Sequence, residues 1–303
     1  MTPRLLLIVN PRSANRSTGR NWPKLRKRLQ EVLPPFRAAR TEGPGDAVRL
    51  AARAAGRYEV VVAVGGDGTI GEVANGLLAN GAGGTALGAL PGGTGSDFVR
   101  TLGIPRDIDK AASVLARGDR RKIDVGRATF TDFSGERSSR WFVNAAEVGM
   151  GAMVCHEVNR AQRRLSGPPA FWWAILTTMR RYQPALAKVV IDGSPARELM
   201  LNNAWIANGC YTGGGMRTAP RARLDDGLLD AVVVKHVAGW RRIAGLPKLR
   251  SGTFVDSPEV EYRQAARVEF AAEAAILVET DGDAVGTTPA AFEAVPGRLT
   301  VVA

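Results

Sequence analysis

Cysteine and histidine are scarce in this chain of 303 residues, which has two of each. Cys155 and Cys210 lack the spacing of a metal site or a disulfide framework, so we expect a reducing, intracellular compartment. His156 and His236 have no partner pattern, and we expect both to be structural or exposed rather than catalytic. No run approaches the ~18 apolar residues of a membrane span, and the apolar run at the start is too short for a secretory signal. The sequence therefore predicts a cytoplasmic protein that does not cross a membrane.

Lysine is also scarce, because only seven of the 41 basic residues are lysines and the others are arginines. The formal net charge is +12. Such a chain is drawn to polyanions, whether nucleic acid, anionic lipid or nucleotide phosphate. Codon usage in GC-rich DNA is an equally good source of the arginine excess. No nucleic-acid-binding motif accompanies the charge, so we expect no nucleic-acid partner.

The first part of the chain alternates short apolar runs with helical patterns. We predict strands over 5–10, 59–64 and 85–90, and helices over 21–33, 46–55, 70–78 and 111–118. This alternation is typical of a parallel sheet covered by helices. From about Lys122 onward the pattern changes to strand-like segments separated by turns, which favours an antiparallel sandwich or barrel. The fold class is therefore α/β plus β, with an α/β domain over 1–125 and a β-sandwich domain over 126–296.

A glycine-rich turn, GGDGT, occupies residues 65–69 directly after the second buried strand. A strand that ends in glycines and leads into a helix directs unpaired backbone amides at the turn, which suits a phosphate group. Thr69 can cap the helix or donate its hydroxyl. Asp67 would repel phosphate unless it takes a proton, a metal or a ligand hydroxyl. A strand-to-helix turn with Asp67 as a helix cap is the structural alternative.

Two other nucleotide-binding motifs fit this turn poorly. Residues 66–71 read GxGxxG, but the dinucleotide-binding motif needs an acidic residue ~20 positions later. None lies between Glu72 and Asp97. A Walker A loop needs GK followed by Ser or Thr after its glycines, and the chain has no such sequence.

A second glycine turn repeats the arrangement. Gly92, Gly93, Thr94 and Gly95 follow the strand over 85–90 and lead into Ser96 and Asp97. Since parallel strands present their carboxyl ends at one sheet edge, we expect the two turns to face each other there. Two such turns at neighbouring strands indicate a phosphate-containing ligand more strongly than either turn alone.

These turns and five further segments together resemble the diacylglycerol kinase catalytic-domain family, which includes bacterial lipid kinases and sphingosine kinases. GGDGT with Glu72 and Asn75 and the following PGGTGSDFVRTLGIP carry the closest resemblance. The other similar segments are IVNPRS (8–13), TEGPGDAVRLA (41–51), IDVGR (123–127), GGGMRTAPRARLDDGLLDAVVV (213–234) and TDGDAVGTTPAAFEAVPGRLTVV (280–302). The resemblance spans nearly the whole chain and implies the fold shared by diacylglycerol and NAD kinases, with residues 297–303 returning to the first domain.

The resemblance implies ATP-dependent phosphorylation of a lipid hydroxyl, on diacylglycerol or a related lipid alcohol. The positions that match the family's nucleotide-binding residues are Asn10, Thr41, Gly65, Gly66, Asp67, Gly68, Thr69, Glu72, Gly93 and Thr94. A structural Mg²⁺ site maps to the side chain of Asp226 and the backbone carbonyls of Arg223 and Leu228. Asp283 occupies the position of the proposed catalytic base, and Asp67 is the second catalytic carboxylate. ATP and Mg²⁺ are the implied cofactors.

The chain departs from the family pattern at three places. Its DGD triplet has Asp283 where Glu is usual, Ser96 replaces Asn, and no glycine directly follows NPRS. Structural alternatives also exist for two carboxylates outside the glycine turns. Asp124 could orient water or metal, or could be a strand-end residue bound by backbone amides. Asp226 could belong to a simple Asp-Gly turn that begins a hairpin.

The segment RRLSGPPAFWWAILTTMRRY (163–182) concerns the substrate. It sets aromatic and aliphatic residues between pairs of arginines, as in a helix that docks on an anionic membrane. Packing of this amphipathic helix on the sandwich is the alternative. We therefore expect a lipid substrate at a membrane surface and peripheral membrane association, with a homodimer left open. An NAD kinase-like enzyme and a non-catalytic nucleotide-responsive protein are the alternative functions.

Overall fold

The computed structural model describes residues 4–79, 81, 83–93, 95–162, 168–238, 241–242 and 245–303. The chain forms two compact units. Unit 1 comprises Met1–Val125, Gly213–Gly215 and Pro296–Ala303, and unit 2 comprises Gly126–Thr212 and Met216–Val295. None of the helices in the described ranges combines the length and the apolar character that crossing a bilayer requires.

Strands and helices alternate at the beginning of the chain, and strands dominate afterwards. The strands are β1 (Leu5–Val9), β2 (Phe36–Arg40), β3 (Val60–Gly65), β4 (Ala86–Pro91), β5 (Arg120–Thr131), β6 (Arg137–Phe142), β7 (Ala145–Gly149), β8 (Ala185–Ile191), β9 (Arg197–Ala207), β10 (Leu229–Lys235), β11 (Val260–Ala265), β12 (Arg267–Ala271), β13 (Leu277–Thr280) and β14 (Asp283–Val302). The helices are α1 (Ser17–Val32), α2 (Asp46–Ala54), α3 (Asp67–Ala79), α4 (Asp97–Thr101), α5 (Ile108–Arg117), α6 (Met150–Gln162), α7 (Pro168–Arg181) and α8 (Leu246–Ser251), and a 3₁₀ helix covers Thr253–Asp256.

Unit 1 contains a parallel sheet in the order β14-β4-β3-β1-β2. Every residue of β1, β3 and β4 is buried, which explains why these strands are continuous apolar runs rather than alternating patterns. The end of β14 joins the sheet through Val301, which pairs with Leu87 of β4. The carboxyl ends of β3 and β4 lead into α3 and, through residues 92–96, into α4.

The predicted strands and helices of the first part are all present in the structure. Helix α1 begins at Ser17, four residues before the predicted start at Asn21. Strand β2 was not predicted, because its sequence FRAAR has little apolar character and lies at the partly exposed edge of the sheet.

Unit 2 is built from antiparallel strand pairs. One path runs β11-β10-β9-β7-β13-β14, while β12 pairs with both β14 and β8, β8 pairs with β9, and β5 pairs with β6. Phe142, Phe270 and Phe292 form the centre of the core, with edge-to-face ring contacts at 6.3 and 6.1 Å. A Cβ on Gly126 would lie 1.9 Å from the Phe142 ring, so close packing on this aromatic requires glycine in the IDVGR segment.

The antiparallel character of the second part was predicted correctly, but several of its elements were not anticipated, among them α6 and β11. Helix α6 follows β7 directly, and β11 occupies a polar sequence, VEYRQA. The strand-like segment SRWFVNAAEVG (139–149) is divided between β6 and β7, with Val143 and Asn144 between the two strands. The predicted amphipathic helix is present as α7, while residues 163–167 of that segment lie outside the described residues.

Candidate active site

The turn after β3 is closed by a contact between its first and last residues. A Cβ on Gly65 would lie 2.5 Å from Oγ1 of Thr69, so the threonine side chain folds back onto the strand end where only glycine fits. Asn10, directly after β1, donates from Nδ2 to the same Oγ1 at 3.0 Å. A Cβ on Gly68, in contrast, would meet no atom within 4 Å, so the backbone there is open to a ligand. The turn therefore combines a closed base with an accessible tip.

The two glycine turns lie against each other. The N–H of Gly92 donates to the carbonyl of Gly65 at 2.7 Å, and a Cβ on Gly93 would lie 2.5 Å from Cα of Gly66. Such a close backbone approach needs glycine at position 93. The predicted juxtaposition of the turns at the sheet edge is therefore present in unit 1. Thr94, predicted to contact nucleotide, lies outside the described residues.

Asp67 and Asp97 form a carboxylate pair over Gly95. A Cβ on Gly95 would lie 2.9 Å from Oδ2 of Asp67 and 3.6 Å from Oδ2 of Asp97. Oδ1 of Asp67 accepts the backbone N–H of Phe98 at 3.0 Å, and Oδ2 of Asp97 accepts that of Gly214 at 2.7 Å. Asp67 therefore caps a helix, as the structural alternative proposed, but the helix is α4 rather than its own α3.

Asp97 was not predicted as a functional residue. It is 5% exposed, and its Oδ1 has no hydrogen-bond partner among the described residues. Burial, reinforced by the charge of Asp67, raises the pKa of Asp97 to about 6. The sequence signal that could have revealed it is its place at the start of the helix after the second glycine turn, since Asp67 begins the helix after the first. This pair can hold a proton between its members or bind a cation.

Thr41 and Glu72 flank the first turn. Thr41 is 9% exposed, and its N–H extends the β1–β2 ladder by donating to Val9 at 2.9 Å. The two oxygens of Glu72 accept the N–H groups of Gly45 and Ala47, each at 3.2 Å. Glu72 therefore caps α2, which accounts for a carboxylate here without reference to a ligand. Each oxygen retains a further acceptor position for a nucleotide hydroxyl.

The loop after β1 has a strained backbone at the place where the family pattern has glycine. Ala14, Asn15 and Arg16 are consecutive non-glycine residues with φ of 48, 53 and 66°. Left-handed φ values cost free energy for residues that carry a Cβ. The position where the family pattern has glycine, Ala14, therefore has a left-handed backbone that is costly for alanine.

Asp124 is satisfied by backbone. It is 3% exposed, and its Oδ1 accepts the N–H of Gly297 at 2.6 Å. Both residues belong to unit 1, so this bond attaches the last part of β14 to the first half of β5. The structural alternative for Asp124 agrees with this geometry.

Asp226 lies in a turn that begins β10. Its Oδ1 accepts the N–H of Leu228 at 3.1 Å, and its Oδ2 accepts Nε2 of Gln264 at 2.9 Å. The turn borders an open cavity of about 460 Å³ lined by Arg221, Arg223, Asp226, Tyr262 and Gln264.

Asp230, four residues after Asp226, is a second carboxylate near this turn. It is fully buried, and neither of its carboxylate oxygens has a hydrogen-bond partner among the described residues. Burial raises its pKa to about 6, the nearby Tyr262 side chain opposes the rise, and the charge of Asp226 adds to it. Carboxylate and carbonyl oxygens are the ligands that Mg²⁺ prefers. Asp226 with the carbonyls of Arg223 and Leu228 is therefore a suitable donor set for Mg²⁺.

Asp283 begins β14 in unit 2. Its side chain is 44% exposed, and Oδ2 pairs with Nη2 of Arg140 at 2.7 Å. Two residues earlier, Asp281 accepts three backbone N–H groups, from Val143, Asn144 and Ala145, at 2.8 to 3.2 Å. Burial raises the pKa of Asp281 to about 6 although these hydrogen bonds oppose the shift. Asp281 thus attaches the turn over residues 281–283 to the segment between β6 and β7, while Asp283 remains accessible.

Two family models match successive parts of the chain. The diacylglycerol kinase catalytic domain matches residues 4–128, and the YegS C-terminal NAD kinase beta sandwich-like domain matches residues 144–303. The chain belongs to the diacylglycerol kinase family. The family prediction and the predicted fold class are both confirmed.

Curated members of the diacylglycerol kinase family align over most of their length. The "Probable lipid kinase YegS-like" of Chromohalobacter salexigens is 32% identical over 91% of this chain and 86% of its own. The "Diacylglycerol kinase" of Bacillus subtilis is 32% identical over 95% of this chain and 92% of its own.

Solved structures show the same architecture. A Bacillus anthracis protein assigned as a diacylglycerol kinase superposes with a TM-score of 0.80 at 28% identity, over 99% of this chain and 95% of its own. An NAD kinase from Archaeoglobus fulgidus in complex with ATP has a TM-score of 0.51 at 13% identity, over 99% of this chain and 93% of its own. The latter likeness concerns the fold alone.

Proposed function

We propose that this member of the diacylglycerol kinase family transfers the γ-phosphate of ATP to a lipid hydroxyl, on diacylglycerol or a related lipid alcohol. The observation that carries the proposal is the backbone contact between the two glycine turns, Gly65–Gly66 against Gly92–Gly93, with Asp67 beside them. Two turns that expose backbone amides at adjacent strand ends suit a chain of phosphates better than a single anion.

Unit 1 is the proposed ATP-binding unit. The backbone at Gly66, Gly68 and Gly93 would contact phosphate oxygens, and Thr94 would donate its hydroxyl. Asn10 holds Thr69 in place, and the capping bonds of Glu72 fix α2 beside the turn. Backbone N–H groups held in place in this way can stabilise the charge that develops on the phosphate during transfer, because the turns need not rearrange at that moment.

Unit 2 supplies the proposed base. Asp283 would accept the proton of the lipid hydroxyl as its oxygen attacks the γ-phosphorus, and ADP would leave. Arg140 holds Oδ2 at 2.7 Å, which orients the carboxylate and directs Oδ1 to the hydroxyl. Asp226 with the carbonyls of Arg223 and Leu228 would hold Mg²⁺, which supplies positive charge and rigidity when bound.

A lipid substrate also implies contact with a membrane. On α7, Trp173 is 71% exposed and Leu176 is 42% exposed, and Arg180 and Arg181 at its end are also exposed. Apolar residues next to arginines suit the interface of an anionic bilayer. We therefore propose peripheral association through this helix. Sedimentation with phosphatidylglycerol vesicles should fall for Trp173→Ser with Leu176→Ser; binding equal to that of the unchanged protein would contradict this role.

Labelled ATP and Mg²⁺ test the main proposal, against diacylglycerol, sphingosine, undecaprenol and NAD in mixed micelles. We expect label on one lipid, and a loss of about 10²- to 10⁴-fold in kcat for Asp283→Asn. Asp283→Glu should retain far more activity because it restores the carboxylate usual in this family. Asp119→Asn is the matched control, since its side chain is 71% exposed.

Two results would overturn the proposed function. Label on NAD alone would favour the NAD kinase-like alternative. ATP binding without label on any acceptor would favour a non-catalytic nucleotide-responsive protein. Light scattering on the same preparation decides between a monomer and a homodimer.

A further inference from the structure

A second pair of carboxyl groups lies in unit 2, on strands that the predicted sites do not include. Glu147 of β7 and Glu279 of β13 are directly opposite each other in the antiparallel register. Side chains at such positions have Cβ atoms about 5 Å apart. Glu279 is 4% exposed. Glu147 is half-buried. Two ionised carboxylates at this separation repel strongly, so one of them is expected to keep a proton.

Helix α6 closes over Glu147. A Cβ on Gly151 would lie 1.6 Å from Oε2 of Glu147, so glycine at this position lets the helix cover the carboxyl group without displacing it. Asn203 of β9 accepts the N–H of Gly151 at 2.8 Å and fixes the helix there. Burial raises the pKa of Glu147 to about 7, although the nearby Trp205 and Asn203 side chains oppose the rise.

The charges around the pair are mostly negative. Burial and then the charge of Glu147 raise the pKa of Glu279 well above its usual value, and Asp281 and Asp283 add to this rise. Cys155 of α6 also faces the pair, and burial keeps its thiol protonated by raising its pKa. Arg140 is paired with Asp283. Among the described residues neither glutamate has an ion-pair partner, so a proton is what offsets the second charge.

The pair is connected to the proposed base through Gly282. The N–H of Gly282 donates to Oε1 of Glu279. On its other side, the Gly282 carbonyl accepts Nδ2 of Asn159 at 2.9 Å and Sγ of Cys155 at 2.8 Å. Asp283 is the next residue. A displacement of Glu279 would therefore release one of the attachments that set the position of Asp283.

We propose that Glu147 and Glu279 share one proton and act as positioning residues that hold the Asp281–Asp283 turn in the geometry required for phosphoryl transfer. This inference rests on the proposed function of Asp283 as the base. While the pair carries a single negative charge, Glu279 stays against Gly282. Loss of the shared proton places two negative charges side by side, separates the glutamates and moves the turn, so kcat falls at alkaline pH.

The pH dependence of kcat tests the inference. Glutamine keeps the shape of the side chain and donates permanently where the shared proton would, so Glu147→Gln and Glu279→Gln should remove the alkaline fall. We expect the ratio of kcat at pH 9 to kcat at pH 7 to rise by about 5- to 10-fold in these variants.

Glu279→Ala removes the acceptor for the N–H of Gly282 and should lower kcat at every pH. Higher activity in Glu279→Gln than in Glu279→Ala supports the positioning role of Glu279. The control is Glu198→Gln, whose side chain is 56% exposed, and its pH profile should equal that of the unchanged protein.

Infrared titration supplies a readout that does not depend on activity. The unchanged protein should show a protonated-carboxyl band at pH 7 that weakens in Glu147→Gln and in Glu279→Gln. Absence of that band at neutral pH would overturn the inference, even if the variants failed to fold. If Asp283→Asn is inactive but the glutamine variants keep the pH profile of the unchanged protein, the positioning role of Glu147 and Glu279 is rejected. The role of Asp283 as the base is then retained. Full activity in Asp283→Asn would reject Asp283 as the base. The protonated-carboxyl band would then still decide whether Glu147 and Glu279 share a proton.

Discussion

The carboxylate of Asp67, the first residue of α3, accepts the backbone N–H of Phe98 at 3.0 Å and so caps the neighbouring helix α4. This bond connects the two glycine turns through a side chain that is also a proposed catalytic group. A loss of activity on mutation could therefore reflect either a displaced turn or a missing charge.

Asparagine at position 67 separates these two roles. Asn also accepts at a helix N-terminus, so Asp67→Asn should change the free energy of unfolding by less than about 1 kcal/mol, whereas Asp67→Ala should cost about 0.5–2 kcal/mol. Both variants should lose kinase activity by about 10²-fold or more, because the charge is absent in both. Denaturant unfolding and initial rates provide the two measurements. Retained activity in Asp67→Asn would show that capping is the whole role of this residue.

Substitution of Gly65 and of Gly68 in the first turn should have different effects on stability and on ATP affinity. In Gly65→Ala the new Cβ would collide with Thr69, so both stability and ATP affinity should decrease. In Gly68→Ala the Cβ would enter open space, so only ATP affinity should fall, by about 10-fold or more. Titration calorimetry and thermal unfolding measure the two effects. Gly43→Ala, which also meets no atom within 4 Å, should leave ATP affinity unaltered. Unchanged affinity in Gly68→Ala would place the phosphates elsewhere.

Asp97 should make the protein less stable as pH rises. Its folded-state pKa of about 6 exceeds the ordinary value of 3.8, so the stability contributed by its neutral form is complete below pH 3.8 and is lost as pH rises through 6. Asp97→Asn should therefore be more stable than the unchanged protein by about 1–3 kcal/mol at pH 7.5, with the difference much reduced at pH 4. Thermal unfolding at the two pH values checks this. An equal difference at both would mean that Asp97 does not titrate in this range.

Mg²⁺ should stabilise the protein through Asp226. A cation that binds the folded state and not the unfolded chain stabilises the folded state by RT ln(1 + [L]/Kd), so the unfolding temperature rises with the cation concentration. We expect Mg²⁺ to raise the midpoint of thermal unfolding without nucleotide, and Asp226→Asn to abolish that rise. The neighbouring Asp225, whose side chain is 54% exposed, is the control, and Asp225→Asn should respond to Mg²⁺ as the unchanged protein does. An equal Mg²⁺ response in Asp226→Asn would exclude this turn as the site.

The parts of the fold that local sequence determines were predictable. Strands β1, β3 and β4 are buried on both faces, so each is a short apolar run, and each is followed by a turn or helix signal. The juxtaposition of the two glycine turns followed from the same parallel order. Strand β2 could not be predicted in this way, because this edge strand, FRAAR, has neither an apolar run nor a clear period.

The carboxylate pairs depend on contacts between distant parts of the chain. The position of Glu147 opposite Glu279 is a matter of strand register, which no local pattern specifies. Asp97 could be recognised as a turn residue, but its contact with Gly214 joins segments that are far apart in the sequence. In both cases the sequence shows which residues are acidic, and only the pairing of strands shows which acids meet.

The pairing of Val301 with Leu87 has a consequence for synthesis on the ribosome. Strand β4 is translated early, but its outer edge has no partner until the far end of β14 has been made. Throughout synthesis of residues 126–295, the nascent chain therefore carries an open strand edge that could pair with another polypeptide. Chaperone engagement during translation should accordingly persist until β14 emerges.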